Sequence, residues 1–177
     1  INFVFIIDKS GSMSTEGRLS AAKQALTRTL EKLEPDKNFY IYFFSDKTSG
    51  MEEGRLIQAT PGNVASTSRW VNSMTPGGLT NPRDALVDAF GKLKPSTIWL
   101  LTDGRFTPFK RVKGDDGETR RVDLPPVQEV VRNLNATGSV RINTIGFAAS
   151  ERQVDASLKD IAEENDGTYT FIKTSGN

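Results

Sequence analysis

The chain has 177 residues, ordinary apolar and charged fractions, and a formal net charge of +1. It contains no cysteine and no histidine. These absences exclude disulfides, thiolate and imidazole catalysis, serine-type triads, and the Cys- or His-based sites preferred by zinc and iron. A near-neutral balance argues against bulk electrostatic binding to nucleic acid or membrane. The apolar runs are strand-length, too short to insert in a bilayer, and no leader pattern is visible. Compartment is left open. Because the chain opens inside an apolar run and lacks an initiator Met, residues 1–177 are read as one domain excised from a longer protein.

Phe3-Val4-Phe5-Ile6-Ile7 reads as a strand buried on both faces, and it gives way to Asp8-Lys9-Ser10-Gly11-Ser12. Helical periodicity of Leu19, Ala22, Leu26, Leu30 and Leu33 predicts a helix from about Arg18 to Leu33, stopped by Glu34-Pro35-Asp36. The second strand, Phe39–Phe44, ends at Ser45-Asp46. A polar stretch to Gly54 follows, then a short third strand over residues 55–60, expected as an antiparallel edge. Asn63 is placed to cap a short helix carrying Val64, Trp70, Val71 and Met74.

The loop Pro76-Gly77-Gly78-Leu79-Thr80 leads to Asn81 and Pro82, read as cap and first position of a helix that buries Leu86, Ala89, Phe90 and Leu93. Ile98–Leu101 is a further apolar strand, and it too ends in a carboxylate, Thr102-Asp103-Gly104. Between Arg105 and Asp123, polar and apolar alternation around Asp-Gly predicts a small hairpin. Its Lys110, Arg111, Arg120 and Arg121 read either as a specificity element that steers an acidic partner or as the side chains of a solvated loop. A helix with Val127, Val130, Val131 and Leu134, a strand through Val140–Ile145, a helix over 151–165 and a strand over 168–172 complete the pattern. Trp70, Trp99, Phe106, Phe109 and Phe147 are read as packing residues.

Alternating strands and helices predict an α/β fold: a doubly wound, mainly parallel sheet of about six strands in the order 3-2-1-4-5-6, with helices on both faces. That order sets strands 1 and 4 side by side at the switch point, which brings Asp8 and Asp103 together at the rim. With Ser10, Ser12 and Thr80 they make an all-oxygen cluster suited to a hard cation, Mg²⁺ (or Mn²⁺). Neutral hydroxyl ligands leave such an ion able to attract an external carboxylate.

Asp8-x-Ser10-x-Ser12, Gly77-Gly78-Leu79-Thr80 and Leu101-Thr102-Asp103-Gly104, in that order, resemble the three loops of the metal-ion-dependent adhesion site of von Willebrand factor A domains, also found as the integrin inserted domain. The resemblance covers the whole chain. It implies that Ser10, Ser12 and Thr80 ligate the metal, that Asp8 and Asp103 act directly or through water, and that a protein partner's Asp or Glu carboxylate fills the open position. It implies a binding module rather than an enzyme. Family members with a ligand-controlled switch carry a helix after the last strand, whereas this sequence ends at Thr174-Ser175-Gly176-Asn177. Two other classes are open: a structural or assembly domain whose site is vestigial or only stabilising, and a Mg²⁺-dependent phosphoryl-transfer enzyme. The latter lacks a second Asp two residues after Asp8 and any phosphate-binding glycine loop.

Overall fold

The computed structural model describes residues 1–174, so the expectation about how the chain ends after Thr174 lies outside the described residues. β1 (Asn2–Asp8), β2 (Asn38–Phe44) and β5 (Thr97–Thr102) form the centre of the sheet, because their near-continuous apolar runs can be buried on both faces. β3 (Thr48–Gly50) and β4 (Ile57–Gln58) both pair antiparallel with β2 at one edge. β8 (Arg141–Ala148) and β9 (Tyr169–Lys173) extend the other side in parallel. The resulting order, β3-β2-β1-β5-β8-β9, is the expected doubly wound arrangement once strands are counted along the sheet.

α1 (Arg18–Lys32) and α2 (Pro61–Ser73) pack together, while α3 (Arg83–Asp88), α4 (Val127–Leu134) and α5 (Ser157–Glu164) form a second row. Right-handed crossovers put the two rows on opposite faces, since the chain reverses its winding direction between β2 and β5. The predicted stripe of α1 is buried at Leu19, Ala22, Leu26 and Leu30. Phe39, Ile41 and Phe43 of β2 are completely enclosed, and Phe43 meets Trp70 edge to face with centroids 5.6 Å apart. Phe106 and Phe147 are core; Trp70 and Trp99 are half-buried against it.

Several boundaries differ from the sequence reading. The edge expected over 55–60 is split, and its longer part, β3, falls in the stretch read as a polar loop. Thr48, Ser49 and Gly50 carry no alternating apolar signal; a tight reversal at Ser45, whose N–H donates to the Lys47 carbonyl at 2.9 Å, pairs them with β2 through backbone alone. Thr60 rather than Asn63 caps α2: its hydroxyl accepts the Asn63 N–H at 3.3 Å, with Pro61 opening the helix. Asn81, expected as the cap of the next helix, lies one residue before the cap position, Pro82, and its Oδ1 accepts the Arg83 N–H at 3.2 Å.

The helix expected over 151–165 is broken. A single turn, Glu151–Gln153, ends at Val154, whose backbone is extended. Val154 is pressed so closely on Gly146 of β8 that a Cβ there would lie 3.0 Å from Val154 Cγ1. Asp155 then starts α5, accepting from both the backbone N–H and the hydroxyl of Ser157.

Replacing Phe43 by Ala removes a fully buried ring from the central packing of β2 against α2, and large-to-small changes of this kind cost about 3–5 kcal/mol. Urea unfolding of Phe43→Ala should show that loss; a loss below about 1 kcal/mol would contradict the packing described, given the usual range for such sites.

Candidate metal centre

β1 delivers Asp8, completely buried, at its carboxyl end. Parallel pairing aligns Ile7 with Leu101, so the next residues, Asp8 and Thr102-Asp103, meet across the switch point. Asp8 Oδ2 accepts the Thr102 hydroxyl at 2.7 Å and the Asp103 N–H at 3.5 Å. Asp8 Oδ1 accepts the Ser10 N–H at 2.6 Å, which curls the following loop back over the strand end. A kinked 3₁₀ segment, Gly11–Gly17, non-helical at Thr15 and Glu16, is anchored by the buried Met13 and keeps Ser12 exposed. Ser10 Oγ lies 3.1 Å from Ser12 Oγ, and Ser12 Oγ donates to Asp103 Oδ1 at 2.8 Å. Asp8, Ser10, Ser12 and Asp103 are thus one connected group.

Thr80 reaches the same rim by its backbone. The Gly11 N–H donates to the Gly78 carbonyl at 3.0 Å, and the Gly77 N–H to the Lys9 carbonyl at 2.8 Å. Gly78 sits at φ +84°, and a Cβ there would fall 2.0 Å from an Asp46 carboxylate oxygen, so the turn that joins the two loops needs glycine. Thr107 clamps Thr80 on both sides, accepting its N–H at 3.1 Å and donating to its carbonyl at 2.8 Å. Among the described residues, the Thr80 hydroxyl makes no hydrogen bond to the other four.

Three further side chains, Arg18, Glu16 and Thr102, belong to the rim and were not singled out from sequence. Arg18, buried at the first position of α1, donates to Asp103 Oδ2 at 2.9 Å and to Glu16 Oε2 at 3.2 Å. Glu16 also accepts the Thr174 hydroxyl at 2.8 Å, which, with Arg18, holds its carboxyl below the usual range. A cation at a helix N-terminus opposes the helix dipole, and that misfit is the signal by which Arg18 could have been found. Thr102 carries no comparable signal.

Burial pushes the Asp8 carboxyl up to about 7, and the neighbouring Asp103 charge adds to the effect. A divalent cation would oppose both effects by stabilising the charged carboxylate. The donor set fits one. Adjacent ligands of a Mg²⁺ octahedron are separated by about 2.9 Å, the edge length set by metal–oxygen bonds of about 2.05 Å. The Ser10–Ser12 and Ser12–Asp103 oxygen separations of 3.1 and 2.8 Å bracket that value. Among the described residues no group of three or more carboxylates is placed to hold a metal ion, so a cation at this rim would need hydroxyls in its ligand set.

The chain is a doubly wound α/β domain with hydroxyls and two carboxylates gathered at its switch point, the place where open sheets of this class bind ligands. Residues 1–171 match the von Willebrand factor type A domain family, and the chain belongs to that family. Domains of this family are in general protein-binding and adhesion modules rather than enzymes. The chain is 31% identical over 178 residues to human inter-alpha-trypsin inhibitor heavy chain H3, covering 94% of this chain and 18% of that protein. The chain therefore spans less than a fifth of the length of the curated relatives it matches. Among solved structures it superposes on a von Willebrand factor type A protein from Catenulispora acidiphila with a TM-score of 0.75 and 21% identity, covering 97% of this chain and 38% of that one. It also resembles proximal thread matrix protein 1 from the mussel byssus, whose structure has a zinc-occupied MIDAS motif, with a TM-score of 0.70 and 17% identity over 98% of this chain and 41% of that one.

Without metal, the fold favours protonated Asp8 relative to the unfolded chain, where its ordinary value is 3.8. This contribution to stability is complete below that value and is lost as pH rises through about 7. In EDTA, the stability of the wild type relative to Asp8→Asn should therefore fall between about pH 4 and pH 7 and level off above, by proton linkage. Parallel melting profiles for the two proteins across that range would refute the assignment.

Proposed function

We propose that the domain binds a protein partner through Mg²⁺ (or Mn²⁺) held by Asp8, Ser10, Ser12, Thr80 and Asp103, with an Asp or Glu carboxylate of the partner as the exchangeable ligand. The carrying observation is the run Ser10 Oγ, Ser12 Oγ, Asp103 Oδ1 at octahedral-edge spacing, with exposed Ser12 facing solvent. The cation would supply an electrophilic point charge at the rim. The chain's own residues set how strong that charge remains. Hydroxyls add none, Asp103 is already partly neutralised by Arg18, and Asp8 has both oxygens occupied by donors. The family's general role in protein binding supports the reading, as does the metal named for the mussel protein.

One observation favours a second reading, a structural or assembly domain whose site needs no metal. The Arg18 guanidinium already sits on Asp103, where it can stand in for part of a cation's charge. Thermal unfolding of wild type and Asp8→Ala, in EDTA and across Mg²⁺ and Mn²⁺ titrations, separates the two. At a hundred times its dissociation constant, a ligand of the folded state adds ~2.7 kcal/mol. The metal-binding reading expects a saturable shift that Asp8→Ala abolishes; no shift in the wild type at millimolar metal would favour the structural one.

Arg18→Ala gives an independent check. Breaking a buried ion pair costs about 3–5 kcal/mol, so the metal-free variant should be less stable by roughly the lower figure. Its Mg²⁺-induced shift should exceed that of the wild type, because Asp103 no longer has a competing cation. Destabilisation with no gain in metal response would place Arg18 as a substitute for the metal.

A further inference from the structure

β6 (Phe109–Lys113) and β7 (Thr119–Asp123) form a hairpin that pairs only with itself, outside the main sheet. Apart from Phe109, which is half-buried, both strands are exposed along their whole length. Its cations are differently engaged. Arg120 is paired with Asp116 at the turn, and the Arg121 guanidinium lies 3.5 Å over the Phe109 ring. Among the described residues, Lys110, Arg111 and Lys113 have no carboxylate within ion-pair reach.

Phe109, Lys110 and Arg111 form one wall of a cavity of about 360 Å³. Its other walls are Gly78, Leu79 and Asn81 of the Thr80 loop and Asp46-Lys47 at the end of β2. The walls are tied together: the Asn81 N–H donates to the Ser45 carbonyl at 2.9 Å and the Thr107 N–H to the Thr80 carbonyl at 2.8 Å. The groove is preformed, and it shares the Thr80 loop with the candidate metal centre.

We infer that this groove is the docking surface for an extended acidic segment of the protein partner, lying along β6 and flanking the carboxylate that the metal centre captures. The inference rests on the metal-binding reading above. Three lining cations, Lys47, Lys110 and Arg111, face one carboxylate, Asp46. Only β6 of the hairpin lines the groove, and its outer edge has no strand partner, which is the surface an extended peptide pairs with. A single-stranded nucleic acid is disfavoured, because the one aromatic ring in the groove is already covered by Arg121 and offers no stacking platform.

The test uses three labelled ten-residue probes read by fluorescence anisotropy: a Glu-rich peptide with a central Asp, a Gly/Ser peptide with the same single Asp, and oligo-dT. Each is titrated with wild type and with Lys110→Glu/Arg111→Glu, in Mg²⁺ and in EDTA. The substituted side chains are exposed, and unchanged melting of the double variant confirms its fold. Wild type in Mg²⁺ should bind the Glu-rich peptide about tenfold more tightly than the single-Asp peptide, an advantage that shrinks at high salt, as for charge steering. The double variant should lose that advantage while keeping the Mg²⁺ dependence of the single-Asp peptide. Equal affinities for the two peptides, an advantage that survives in the double variant, no binding of the Glu-rich peptide at millimolar concentration, or tighter binding of oligo-dT would each overturn the inference. If EDTA leaves all binding unchanged while the double variant abolishes the acidic preference, the groove stands and the metal-binding reading fails.

Discussion

The pairing of β1 with β5 is the constraint on which the rest of the rim depends. It brings two carboxylates that are 95 residues apart in sequence, Asp8 and Asp103, to one point where water is largely excluded. Buried carboxylates are costly unless hydrogen-bonded, and the two are satisfied in different ways. Asp8 receives only neutral donors: a backbone N–H at 2.6 Å and a hydroxyl at 2.7 Å. Asp103 receives a hydroxyl and a guanidinium. With no cationic partner, Asp8 is the group with the most to gain from an added cation; burial, with the Asp103 charge beside it, displaces its carboxyl upward against the pull of those donors.

That asymmetry spreads outward through the loops. Arg18 can reach Asp103 only because the chain turns sharply before α1, with Glu16 and Gly17 both in the left-handed region at φ 54° and 65°. A left-handed Glu is strained, so other contacts must hold it there. Arg18 and the Thr174 hydroxyl both bond its carboxylate. The residue just past β9 is thereby joined, through Glu16 and Arg18, to the carboxylate at the end of β5.

The framework of the site was legible in the sequence because its strands are apolar throughout. Phe3–Ile7, Phe39–Phe44 and Ile98–Leu101 announce burial on both faces, and a carboxylate beyond such a run stands out. Crossover handedness required one reversal of winding, and the usual strand order of doubly wound sheets then converged Asp8 with Asp103. The features missed are those held by backbone or by polar pairing. β3 has no hydrophobic pattern, and the break at Val154 follows from its contact with Gly146, which no local signal reveals. Arg18 shares its helix with Lys23, Arg28 and Lys32, so its place at the helix start marks it and its residue type does not. Thr80 was placed correctly on its loop, but the clamp that holds it comes from Thr107, in a segment read only as the approach to a hairpin.

A cluster of hydroxyls and two acids would give a cation little power to discriminate among partners. Any exposed Asp or Glu could approach such an ion, and specificity is a difference between affinities rather than an affinity. Discrimination must then come from surfaces beside the centre that accept some flanking sequences and reject others. The rim supplies two unlike neighbours. On one side lies the β6 groove with Lys47, Lys110 and Arg111. On the other, around Val154, lies a larger cavity in which Arg105, Arg152 and Lys159 are interleaved with Glu151 and Asp155. Mixed charge on that side attracts no single class of segment, whereas the groove is of predominantly one sign. Under the proposed function, the fold would divide capture, at the strand ends and their hydroxyl loops, from selection, at a hairpin that forms its own two-stranded sheet apart from Asp8 and Asp103.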